Sequence, residues 1–193
     1  MPGTKNTPSM VTTLLERLEQ DPTLGRAAEA LATPMAAALG GPASDVLRGR
    51  PLGHALHPIL VQLPVGALVS ASVLDMLQGP RAAGQSRLLM GLAALSVVPA
   101  AATGWAEWVR ADDRTKRVGV AHAALNLFAG ATSLASYLLR RRTWSMAPVA
   151  LTGVAGVAFG AAGLLGGHLS LVRKYASHDR ASDLEGPLHG EFT

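Results

Sequence analysis

Gly53-His54-Ala55-Leu56-His57-Pro58 is where this chain changes character. Before it lies a leader, residues 1–50, interrupted throughout by charge and proline; after it comes an apolar run with no charge until Asp75. Pro58 suits the first turn of a helix, where a missing N–H costs nothing. The residue before a proline avoids helical backbone. The spacing therefore predicts a helix over 58–77, with His57 as its cap and His54 outside it. Pro64 lies further in and is expected to kink that helix by removing the bond to the Leu60 carbonyl. The carbonyl so freed, near Gln62, is either a ligand-facing feature or the mark of an ordinary bend.

Three more apolar segments follow, at 88–109, 118–139 and 147–172. Each is near the roughly 20 residues needed to cross the hydrocarbon of a bilayer. Only 16% of the 193 residues are charged, against about 25% in soluble domains, and the deficit is concentrated in these four stretches. Short links between successive spans favour antiparallel neighbours. The expected fold is all-α: an integral membrane four-helix up-down bundle over 51–173, an N-terminal amphipathic helical leader, and a polar tail over 174–193. The net charge of +4 does not point to nucleic acid, because the basic residues sit mostly in the connections. The lipid bilayer is the expected partner, in a multi-pass protein of the cell membrane. Basic residues at 48–50, 110–117 and 173–180 favour cytoplasmic termini, opposed by Arg81, Arg87 and the run Arg140-Arg141-Arg142.

In the leader, Leu14, Leu15 and Leu18 share a helical face. Asp21-Pro22 restarts a helix with a capping carboxylate and a proline at its first position, and Leu24, Ala27, Ala28 and Leu31 give it an apolar side. Pro34 and Gly40-Gly41-Pro42 are expected to break the chain again. The leader then lies on the membrane, docks on a partner, or stays a loose surface arm.

The spans carry small and polar stripes. In the second, Gly91, Ala94, Val98, Ala101 and Ala102 form a face for close packing. Its end puts Glu107 between Trp105 and Trp108, as at a lipid headgroup boundary. In the third, His122, Asn126, Ser133 and Tyr137 recur at helical spacing and must face other helices. In the fourth, Gly153, Gly156, Gly160, Gly163 and Gly167 would admit a neighbouring helix, a second copy of the chain or a flat ligand to backbone distance.

An up-down topology returns His54, His57, His122 and His168 to one side of the membrane, with Glu107. The chain has no cysteine, which excludes disulfides, thiolate metal sites and cysteine nucleophiles. Imidazole pairs on facing helices can hold haem b, and three or four imidazoles can hold Zn or Cu. Asn126 and Glu107 would then support the ligands. Singly, each histidine also has a structural reading: a cap for His57, a loop residue for His54, a bond to a facing carbonyl or to Asn126 for His122, and an interfacial residue for His168. No hydrolase triad or phosphate-cradling loop is present.

These residues resemble the bacterial membrane-protein family called domain of unknown function 2231. Its G-H-P-x-H-P-like entry to the first span is similar to Gly53 to Pro58, with Ala55 in place of the first proline. Its T-G-x-x-D-W-like motif resembles Thr103 to Trp108, with Glu107 for the aspartate. His122 with Asn126, and Gly166-Gly167-His168, are further likenesses, and the resemblance covers about Leu47 to Arg173. Family members are often fused to, or encoded near, Rieske-type iron–sulfur domains. The resemblance thus implies electron transfer at a membrane with a Rieske-type or other redox partner, and makes haem a better expectation than structural zinc.

Overall fold

A computed structural model describes residues 9–140 and 145–172. Among them all regular structure is helical. The leader forms α1 (Met10–Gln20), α2 (Pro22–Leu39) and α3 (Ala43–Leu47), followed by a 3-10 turn at Arg50–Leu52. Then come α4 (His57–Leu60), α5 (Gln62–Gln78), α6 (Ala83–Trp108), α7 (Asp113–Leu139) and α8 (Met146–Gly167). The end of α8 widens into a π-helical turn at His168–Val172. Arg141, Arg142, Arg173 and the tail with His178 and His189 lie outside the described residues.

Three stretches are long and apolar enough to cross a membrane: His57–Trp108, Asp113–Leu139 and Met146–Leu171. The first, 52 residues long, contains both α5 and α6, joined by a 3-10 turn at Gly79–Ala82. Helix α5 packs on α6 and α8, and α7 packs on the same two. The four long helices thus enclose one core.

That core is made of small side chains. Ala67, Ala71, Ala93, Ala129, Ala155 and Ala158 are buried with Leu68, Met90 and Phe159. The large apolar residues point outward: Leu88 is 71% exposed, Leu95 72%, Leu127 71% and Val157 76%. A protein in water arranges these the other way round, since burying large apolar groups is its main driving force. In lipid that force is absent between helices, and small residues that allow close approach take the contacts instead.

Several expectations shift in detail. The interruption expected from Pro64 falls at Val61, with α4 ending at Leu60, whose carbonyl the proline cannot bond, and α5 starting at Gln62. Pro64 therefore falls in the first turn of α5, where its missing N–H is harmless. Gln62 spends its amide on the Pro58 carbonyl (3.3 Å). Helix α4 begins at His57 with Leu56 as its cap, one residue earlier than expected. In α6 the buried line is Met90, Ala93, Ala100, Thr103 and Ala106, so the expected small face is rotated by about one residue. In α8 the buried line is Thr152, Ala155, Phe159 and Ala162. Gly153, Gly160 and Gly163 face outward, and a Cβ added there would meet nothing within 4 Å.

The leader is docked on the bundle, α1 and α2 both packing on α7. Asp21 caps α2 as expected, accepting from the backbone of Thr23 (2.7 Å) and Leu24 (2.9 Å). Pro34 does not end α2, which runs through it to Leu39. It sits on the exposed side of an alanine-rich stretch, whose helix propensity carries the chain past one lost bond.

Arg140 departs furthest from expectation. It is not a charge at the membrane edge but turns inward to Asp75 of α5, both side chains 2% exposed. Its Nη1 donates to Asp75 Oδ1 (2.9 Å), and Nη2 bonds to Oδ2 and to Thr152 Oγ1 (3.1 Å). Its Nε donates to Ser136 Oγ (3.2 Å), which in turn donates to the Pro148 carbonyl (2.8 Å). One network thereby ties α5, α7 and α8 at the end opposite the leader.

Candidate functional site

The chain reaches the site through two left-handed glycines, Gly49 (φ 76°) and Gly53 (φ 62°). A Cβ on Gly49 would lie 2.0 Å from the His54 carbonyl oxygen, so only glycine lets the chain fold back there. This reversal leaves His54 exposed and delivers His57, three residues later, against α6.

The His57 ring sits over α6 with Nδ1 2.8 Å from the Ala100 carbonyl oxygen. A carbonyl can only accept, so Nδ1 carries the proton and Nε2 keeps its lone pair. The ring fills the space beside Gly104, where a Cβ would lie 2.9 Å from its Cε1. His122 on α7 repeats the arrangement against α8. Its Nδ1 is 2.8 Å from the Ala162 carbonyl, and a Cβ on Gly166 would lie 3.1 Å from its Cε1. In each case an alanine supplies the carbonyl and a glycine four residues on supplies the room.

The two seats face each other. The ring centroids of His57 and His122 are 6.1 Å apart and the planes meet at 75°. Asn126, one turn along α7, donates from Nδ2 to His122 Nε2 (3.0 Å) and to the His122 carbonyl (2.9 Å). The two alternatives for His122, a facing carbonyl and Asn126, therefore both occur. Thr103 Oγ1 donates to the same Ala100 carbonyl as His57 (2.8 Å).

The other predicted site residues lie elsewhere. The ring of His54 makes no hydrogen bond among the described residues. His168 is engaged by the leader: its Nε2 lies 2.8 Å from Glu19 Oε1, with both side chains largely buried. Arg117 Nη1 donates to the Glu19 backbone carbonyl (3.0 Å), so Glu19 ties the leader to both α7 and α8. Glu107 is part-buried one turn beyond Thr103. Trp108 is buried rather than spread at the boundary: its indole donates to the Lys116 carbonyl (2.9 Å) and packs edge-on to Trp105 at 5.0 Å. The structure thus pairs two of the four predicted histidines.

The donor set discriminates among the groups it could hold. Among the described residues, no three His, Asp or Glu side chains are arranged around a common point. A tetrahedral zinc ion held only by protein needs four ligands, and this site offers two. A haem iron needs at most two from the chain, and paired imidazoles with Nδ1 anchored to carbonyls suit that role. His122 Nε2 already accepts from the Asn126 amide (3.0 Å), so an iron there would have to displace that bond.

Sequence reasoning missed Asp75 and Glu19. Asp75 was visible as the lone carboxylate of an otherwise uncharged run, which in a membrane span is itself a signal of a buried partner. Glu19 carried no such mark.

Residues 53–178, well over half of the chain, match a family described as predicted membrane protein (DUF2231). No curated protein and no solved structure matches.

Proposed function

Because the chain belongs to the DUF2231 family of predicted membrane proteins, we propose that it is the cofactor-binding component of a membrane redox system. In this reading α5 to α8 form an up-down bundle in the cell membrane, both termini are cytoplasmic, and His57 and His122 would hold a haem b. A single observation carries it: two imidazoles on opposite helix pairs face each other at 6.1 Å, each held in one tautomer by a backbone carbonyl. Such anchoring raises imidazole basicity and fixes ring direction, as partners of ligating histidines do. A bound haem would supply one-electron transfer. The chain itself would orient the ligands through Ala100 and Ala162 and exclude water with its alanine core. The electron donor or acceptor would be a Rieske-type or other redox protein, and the outward glycines of α8 offer a place for a second copy.

The Asn126 bond also favours a second reading. With Nδ1 and Nε2 of His122 both satisfied within the chain, the pair would be a cross-link in a silent membrane anchor that holds a redox partner. A reduced-minus-oxidised visible spectrum of the purified protein from a haem-replete host, with elemental analysis of the same sample, separates the readings. A b-type absorption abolished by His57→Ala and by His122→Ala supports haem. A flat spectrum with bound copper or zinc moves the site to a metal ion, and a flat spectrum with no metal leaves the anchor.

A further inference from the structure

A second feature is independent of the histidine pair. Between α2 of the leader and the start of α7 lies an open cleft of about 250 Å³. Gly25 and Ala28 form its floor, and Glu29, Asp113, Lys116 and Arg117 line it. Ligand pockets usually span about 300–1,000 Å³, so this one suits a headgroup and not a whole lipid. Among the described residues none of the four charges is in an ion pair, although two cations and two carboxylates share the cleft. Each cation is held in place by something else. Lys116 Nζ lies 5.6 Å from the Trp108 ring centroid, and Arg117 is anchored to the Glu19 carbonyl through one of its five N–H groups. Gly25 lets the guanidinium lie close, since a Cβ there would be 3.1 Å from Arg117 Nε.

Position selects the ligand. Helix α7 begins at Asp113, just after the half-buried Trp105 near the end of α6, and a tryptophan at the end of a span marks the headgroup level of a bilayer. We infer that this cleft binds the headgroup of a zwitterionic lipid with a primary ammonium group, of the phosphatidylethanolamine kind. Lys116 and Arg117 take the phosphate; Glu29 and Asp113 take the ammonium, whose N–H groups donate to them. A choline headgroup has no N–H to donate. A glycerol headgroup leaves both carboxylates beside a net negative lipid. The bound lipid would bridge the leader to the bundle, because its contacts come from both.

Native mass spectrometry of the full chain in mild detergent, titrated separately with dioleoyl phosphatidylethanolamine, phosphatidylcholine and phosphatidylglycerol, tests this. One ethanolamine lipid should be retained about tenfold better than either alternative, as expected when a site built for N–H donors meets a ligand lacking them. Glu29→Gln with Asp113→Asn should erase the preference, and Ala32→Trp, which fills the cleft wall, should erase retention. The carboxamide pair keeps the test valid if the tryptophan variant misfolds. Equal retention of the three lipids, preference for phosphatidylglycerol, or a preference that survives Glu29→Gln/Asp113→Asn would overturn the inference. Displacement by soluble glycerophosphoethanolamine at equal concentration would assign the cleft to a free headgroup compound and overturn its assignment to lipid.

Discussion

Asp75→Asn should destabilise this protein more than any single change at its surface. The substitution removes a charge whose partner, Arg140, cannot reach water: both side chains are 2% exposed. Breaking a buried pair by deleting one partner typically costs about 3–5 kcal/mol, because the remaining charge is left uncompensated. Here Arg140 keeps its bonds to Ser136 and Thr152, and an asparagine oxygen can still accept one N–H. The expected loss is therefore at the low end, about 3 kcal/mol. At about 2–4 °C per kcal/mol for a chain of this size, the Tm should fall by about 6–12 °C. Thermal unfolding in detergent, followed by circular dichroism, measures it. The double variant Asp75→Leu/Arg140→Met supplies the control. Replacing both charges with apolar groups is often neutral, so the double variant should be more stable than Asp75→Asn. A single variant within about 1 kcal/mol of the parent, the range of ordinary surface changes, would refute the argument. So would a double variant less stable than the single one.

Two further outcomes follow from local geometry. Gly104→Ala should push the His57 ring off the Ala100 carbonyl, because the added Cβ meets the ring at 2.9 Å; the cost is about 1–3 kcal/mol, whereas Gly163→Ala, in open space, should be neutral or stabilise by up to about 1 kcal/mol, and paired thermal scans distinguish them. Glu19→Gln should loosen the leader by weakening its bond to His168 while leaving the backbone acceptor for Arg117 in place; limited proteolysis between α1 and α2 should quicken by severalfold for a loss of about 1 kcal/mol, and an unchanged cleavage rate would show that Glu19 does not hold the leader.

Helix–helix register was legible only where polarity broke the apolar background. On α7, His122, Asn126 and Ser133 stand at helical spacing: His122 reaches Ala162 of α8, Ser133 is buried, and Asn126 turns to His122 on its own helix. On α6 and α8 the same reasoning, applied to small residues, chose faces about one residue's rotation away from those that pack. A helix apolar all round has no contrast to set its rotation, and glycine and alanine are close substitutes at a contact until a neighbour's shape decides between them. Alanine took the core of α8, while Gly153, Gly160 and Gly163 stayed outside.

Chain chemistry was enough to settle the solvent and the local elements. Its runs of uncharged residues are long enough to cross a bilayer, Gly53 to Pro58 marks the entry to the first, and Asp21-Pro22 starts a helix; each follows from chain chemistry within a few residues. The tertiary structure alone decided which distant groups meet. Asp75 finds Arg140 across 65 positions, Glu19 finds His168 across 149, and only His57 and His122 of the four histidines face each other. Those choices depend on how each helix is rotated and how far it slides against its neighbours. Rotation and slide are set by the summed contacts of all four long helices at once, which no single stretch of sequence contains.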